Sequence, residues 1–100
     1  MCILQNYLSN NSVIYTLNIG TDNGGVFLFN RTSANTITIQ TENAGVFLDD
    51  DIYINTLYVE NNVGGIYLSG NAVIENLICK QNSGGVSVSG NAKIINNQCI

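Results

Sequence analysis

The sequence predicts an all-β parallel β-helix (β-solenoid) of five coils of 20 residues, with three short strands in each coil. Three observations predict it: an uninterrupted twenty-residue repeat, apolar residues paired one residue apart, and glycine or asparagine between the pairs. Residues 41–60 read TENAGVFLDDDIYINTLYVE, 61–80 read NNVGGIYLSGNAVIENLICK and 81–100 read QNSGGVSVSGNAKIINNQCI, with no insertion between them. The blocks 1–20 and 21–40 fall into the same register, although Met1 to Gln5 lack the usual lead-in. A repeat this short cannot bury its apolar face alone, so each unit is stable only when stacked on neighbours.

The first strand of each coil centres on the pairs Val26 and Leu28, Val46 and Leu48, Ile66 and Leu68, and Val86 and Val88. Apolar residues one apart put two side chains on one face of a strand. A second strand follows at the twelfth and fourteenth positions of each block, with Ile14, Ala34, Ile54, Ile74 and Ile94 as its stronger column, and a third with pairs such as Leu17 and Ile19, Ile37 and Ile39, or Leu57 and Val59. Gly64 with Gly65 and Gly84 with Gly85 precede the first strand, and Asn, Asp or Gly follow it. Both residue types tolerate the left-handed backbone that a sharp corner needs. Of the inward positions so defined, all but Asn6, Ser12, Thr32 and Asn97 carry Ala, Val, Ile, Leu or Cys, which predicts a narrow and nearly continuous core. No block holds the longer 3.6-period pattern of an ordinary helix.

The unit GG-[VI]-[FY]-L-S-G-N-A-x-I-x-N-x-x-[IVC], clearest at 64–79 and 84–99, resembles right-handed parallel β-helix repeats. It is most similar to those of polymorphic outer-membrane-protein and adhesin families, which carry GG-[AI]-I and an Asn-rich corner. The resemblance covers about four of the five blocks. It implies a right-handed coil, a surface or secreted location and an adhesive or passenger role, and it implies no catalytic residue. The chain departs from those families in lacking an FxxN tetrapeptide in each block. A leucine-rich repeat is the competing architecture, because Ile54, Leu57, Val59 and Asn62 fit L-x-x-L-x-L-x-x-N. The rest of each block carries a second strand pattern instead of a convex helix, which favours the β-helix.

Seven acidic and three basic residues give a formal charge of −4, which argues against a nucleic-acid or anionic-membrane surface. No apolar run approaches the roughly twenty residues of a membrane span, so no membrane insertion is expected. Apolar Met1, Cys2, Ile3 and Leu4 at one end and Ile100 at the other leave no polar cap. The expectation is a piece of a longer solenoid, with end-to-end stacking of copies as the sharper alternative. Cys79 and Cys99 share one inward position in neighbouring coils. Parallel stacking reads as poor disulfide geometry, so both are expected as reduced core residues.

The candidate chemistry is sparse. Asp49, Asp50 and Asp51 follow the first strand of the third coil, where paired carboxylates could cleave a polysaccharide or hold calcium. Neighbouring coils offer Phe29, Asn30 and Arg31 or Ser69, Gly70 and Asn71 there, so a solvated corner with Arg31 beside Asp51 is the better reading. With no histidine and both late cysteines inward, neither a Cys-His pair nor a His-based metal site assembles. No catalytic residue, metal or cofactor is expected.

Tyr7, Phe27, Phe47, Tyr67 and Ser87 each lie between two inward residues and so point outward as a ladder. Stacked aromatics either stabilise neighbouring strands or mark an interface or sugar platform, and Tyr7, Phe27, Phe47 and Tyr67 are the candidate binding residues. Tyr53 and Tyr58 are neighbouring candidates. Asn71 with Asn91 and Asn76 with Asn96 should form amide ladders along the solenoid. Asn10 and Asn30 begin N-glycosylation patterns at a corner. Threonines pair in one coil alone, Thr36 with Thr38, which is no ice-binding array.

The functional expectation is a non-catalytic structural or adhesive surface β-solenoid, extracellular or at the cell surface. Its partner is a protein or glycan on the aromatic face, or another copy stacked end to end. The alternative is a fragment of a carbohydrate-active β-helix enzyme that uses Asp49 to Asp51.

Overall fold

A computed structural model describes the backbone of residues 2–3, 6–8, 13–22, 25–29 and 31–99, and the side chains of 13–20, 25–28, 31–41 and 43–99. Among these residues there is no helix, and the strands stack in parallel as a β-solenoid of about four turns. The strands are β1 Cys2–Ile3, β2 Asn6–Leu8, β3 Val13–Asp22, β4 Val26–Phe29, β5 Ser33–Glu42, β6 Val46–Asp49, β7 Tyr53–Asn62, β8 Ile66–Leu68, β9 Val73–Asn82, β10 Val86–Val88 and β11 Lys93–Cys99. One sheet runs β1-β3-β5-β7-β9-β11 and the other β10-β8-β6-β4-β2.

The twenty-residue repeat is the register itself. Ile54 lies opposite Ile74, Leu57 opposite Leu77 and Leu48 opposite Leu68. One departure occurs at the start: Cys2 falls opposite Thr21, one residue out of the block alignment, while Asn6 lies opposite Val26 in step with the rest. Met1 to Gln5 lack the lead-in found in later blocks, and β1 accordingly pairs in a shifted register.

Each coil has two strands, where three were predicted. The second and third predicted strands are one ten-residue strand folded at two corners. Within β7 the buried residues are Ile54, Leu57, Val59 and Asn62, so the period of two breaks between Ile54 and Leu57 and again after Val59. The ladder skips the same places, passing from Ile54 to Thr56 and from Val59 to Asn61. A single unpaired residue, Asn55 or Glu60, turns the strand without ending its pairing. The inward columns are as predicted. Val26, Val46 and Ile66, then Ile37, Leu57 and Leu77, form contiguous apolar rows closed to solvent.

The two-glycine corner has two separate causes. Gly84 is needed for close approach, since a Cβ there would sit 2.1 Å from the Gly65 amide nitrogen. Gly65 is needed for conformation, with φ +98°, a region that L side chains rarely adopt. Behind this corner lies a buried amide ladder that the sequence reading missed. Asn62 is fully buried, its Oδ1 accepts the Gly65 N–H at 3.0 Å, and its Nδ2 donates to Asn82 Oδ1 at 2.6 Å. Asn82 Oδ1 accepts the Gly85 N–H at 3.0 Å in the next coil. A buried amide is tolerable where its donors and acceptors are met, and these bonds lock the corners that lead into β8 and β10.

Candidate functional site

The aromatic ladder forms as predicted. Strands β4, β6 and β8 place Phe27, Phe47 and Tyr67 on adjacent rungs between inward residues, so all three point away from the core. Their ring centroids are 5.0 and 5.1 Å apart and the planes tilt by 9° at each step. The spacing is close to the roughly 4.8 Å between strands, so coil stacking alone brings the rings face to face. Tyr7 lies opposite Phe27, and its side chain is outside the described residues. At the other end Ser87 lies opposite Tyr67 and ends the aromatic run.

These rings also fold back over their own coils. A Cβ added at Gly25 would meet the Phe27 ring at 2.9 Å, one at Gly45 the Phe47 ring at 3.0 Å, and one at Gly65 the Tyr67 hydroxyl at 2.6 Å. The Tyr67 hydroxyl donates to the Gly64 carbonyl at 3.0 Å. Each ring therefore shields a glycine corner that has no side chain of its own, a packing role beyond the stacking that the sequence suggested. Face-to-face stacking occupies the facing surfaces of Phe47, so this flank offers ring edges. Beside it runs a depression of about 330 Å³, bordered by Phe27, Phe47 and Tyr67 and by the polar groups of Asp49 and Ser69.

The acidic corner is an extension of the coil ladders. Ser69 Oγ donates to Asp49 Oδ1 at 2.8 Å and Asn71 Nδ2 donates to Asp51 Oδ1 at 3.2 Å, both from the following coil. Arg31 does not join them: no ion pair with Asp51 forms among the described residues, and Asn71 supplies the partner instead. Asp50 takes φ 70°, where the next two coils have Gly70 and Gly90, each at φ 64°. No cluster of three metal-ligating side chains occurs among the described residues. No helix there is long and apolar enough to cross a membrane.

The predicted amide ladders are present: Asn91 Nδ2 donates to Asn71 Oδ1 at 3.3 Å and Asn96 Nδ2 to Asn76 Oδ1 at 3.0 Å. The cysteines are a correction. Cys79 and Cys99 are joined by a disulfide across neighbouring coils, with Cα atoms 4.3 Å apart. Parallel rungs of one inward column bring the two Cα atoms to the lower edge of the bridging range, so stacking permits the bond that it was expected to hinder. The bridge fastens the coil at 81–99 to the core, where Cys79 is buried and Cys99 packs partly against it. The glycosylation patterns at Asn10 and Asn30 begin on residues outside those described, and Thr32 of the second pattern is fully buried in the inward column.

A second depression, on the long sheet, was not anticipated. It holds about 300 Å³ between Tyr15 and Tyr53. The sequence offers Tyr53 as a neighbouring candidate, but the hollow arises from small side chains on the rung between, which no single-block pattern displays. Tyr58 sits on the same sheet, on the rung between Thr38 and Ile78.

Comparison with other proteins finds no matching family model, no matching curated protein and no matching solved structure.

Proposed function

We propose that this chain is a non-catalytic, adhesin-type surface solenoid that presents its aromatic flank to a protein or glycan and acts as a rigid spacer. One observation carries the reading. The stack of Phe27, Phe47 and Tyr67 runs unbroken over three coils beside a hollow that contributes the Asp49 carboxylate and the Ser69 hydroxyl. Apolar edges beside fixed polar groups are the composition of a recognition surface. The Cys79 to Cys99 disulfide supports an extracellular or cell-surface location, because such bonds persist in oxidising compartments.

The test is binding of the purified chain to glycan and surface-protein arrays beside the Phe27→Ser, Phe47→Ser double variant. Circular dichroism and thermal melts establish that the variant keeps its fold. Loss of the wild-type signal in the folded variant supports the reading, while unchanged binding overturns it. Release of reducing ends from a polysaccharide, abolished by Asp50→Asn, would replace it with the carbohydrate-active alternative.

A further inference from the structure

The hollow on the long sheet owes its shape to one rung. Ser33 lies between Val13 and Tyr53 in the ladder, and Ala34 between Ile14 and Ile54. Tyr15, Asn35 and Asn55 are the unpaired corner residues of successive coils, so they project from the sheet in one column. In the middle coil both outward positions are small or short, Ser33 and Asn35, while Val13 and Tyr15 below and Tyr53 above are large. Val13 is 81% exposed, Tyr15 80% and Tyr53 41%. Across this rung Tyr53 looks toward Val13 and Tyr15 toward Asn55, two strand spacings or about 9.6 Å apart, so the two tyrosines stand at diagonal corners of the hollow.

The walls and rim specify what kind of occupant fits. Ile14 and Ala34 lie at the base, Tyr15 and Tyr53 flank it, and no Asp, Glu, Lys or Arg is among the lining residues, which suits a neutral ligand. Tyr53 is held from the far side, its hydroxyl donating to Glu75 Oε2 at 3.1 Å. That contact fixes the phenol before any ligand arrives and lowers the entropy lost on binding. At the rim Asn35 Nδ2 donates to Thr36 Oγ1 at 3.3 Å, which leaves its Oδ1 to accept. Asn55 Oδ1 accepts from Thr56 Oγ1 at 3.0 Å, which leaves its Nδ2 to donate. One amide acceptor and one amide donor beside two aromatic walls match a molecule with hydroxyls on its edge and C–H groups on its face.

We propose that this notch is a saccharide subsite that takes one neutral pyranose unit, with Tyr15 and Tyr53 against the sugar's apolar faces and Asn35 and Asn55 on its hydroxyls. It lies on the long sheet, built from β3, β5 and β7, and does not depend on the aromatic flank of the short one. An apolar peptide side chain is the competing occupant, and it would gain nothing from the two amides.

The experiment is an amide chemical-shift titration of the full chain with the methyl glycosides of glucose, galactose, mannose and N-acetylglucosamine. At least one sugar should give saturable shifts confined to residues 13–15, 33–35 and 53–55. Tyr53→Ala and Asn35→Ala should each weaken binding about tenfold, and Tyr53→Phe by less, since it keeps the ring and loses only the Glu75 contact. Ser33→Tyr fills the empty rung on an outward position, so it should abolish binding in a chain that still folds. Phe27→Ser with Phe47→Ser should leave the shifts unchanged, which separates this site from the aromatic flank. No saturable shift with any of the four sugars overturns the proposal, as do shifts that survive Ser33→Tyr. Equal affinity of the wild type and Asn35→Ala for a sugar does so too, because the amides would then have no part in recognition.

Discussion

The coils at 41–80 and the coil at 81–99 carry the same pattern in the same register, yet their side chains meet very different surroundings. Leu48 and Leu68 are almost wholly buried, while Val88, opposite Leu68, is 47% exposed. Ile54 and Ile74 are closed to solvent, and Ile94, on the next rung, only partly so. Backbone conformation is common to all three coils, down to the positive φ of Gly65 and Gly85. A coil therefore brings the shape of the core but not the core itself: burial comes from the neighbour on each side, and among the described residues the 81–99 coil has one neighbour. The disulfide from Cys79 to Cys99 lies at this junction, where packing on its own is weakest.

Truncation in the core should separate the two regions most. Leu57→Ala, in a fully buried column between Ile37 and Leu77, should cost about 2–5 kcal/mol in urea titration, whereas Val88→Ala should cost under about 1 kcal/mol. Equal losses would mean that the last coil is as well packed as the middle. A smaller effect comes from the glycine corner. Gly65→Ala meets both an unfavourable φ and the Tyr67 hydroxyl at 2.6 Å, while Gly85→Ala has φ +81° and no atom within 4 Å. The second should cost about 1–2 kcal/mol from backbone strain alone, and the first about 1 kcal/mol more, as read from thermal melts. The difference should shrink when Tyr67→Ser removes the ring.

How far the sequence revealed this arrangement depends on how local each feature is. The β-solenoid class and the inward columns follow from apolar pairs such as Val46 with Leu48 and Leu57 with Val59, repeated at one spacing. The strand count did not follow, because Asn55 and Glu60 turn the chain in a single residue and leave the same apolar pairs on either side. The burial of Asn62 is not legible because a polar residue reads as surface until its partners are placed. Its trace in the sequence is an asparagine three residues before the second glycine, in both Asn62 to Gly65 and Asn82 to Gly85. The twenty-residue spacing aligns Cys79 with Cys99, but that rungs of one column come close enough to bridge shows only in three dimensions. Of the binding candidates, Phe27, Phe47 and Tyr67 stack as expected, but their cover over Gly25, Gly45 and Gly65 appears only in three dimensions. The notch between Tyr15 and Tyr53 is defined by what Ser33 lacks, and a missing side chain leaves no pattern in one block.

The most direct measurement of the account is residue-resolved amide hydrogen exchange, with and without dithiothreitol. If burial is supplied by neighbours, the amides of β7, paired to β5 and β9, exchange more slowly than those of β10 and β11, which each have one neighbour. Reduction of the disulfide then accelerates exchange in 81–99 and leaves β7 unchanged. Uniform protection from β7 to β11, or acceleration by reductant that reaches β7 as strongly as β11, would contradict it.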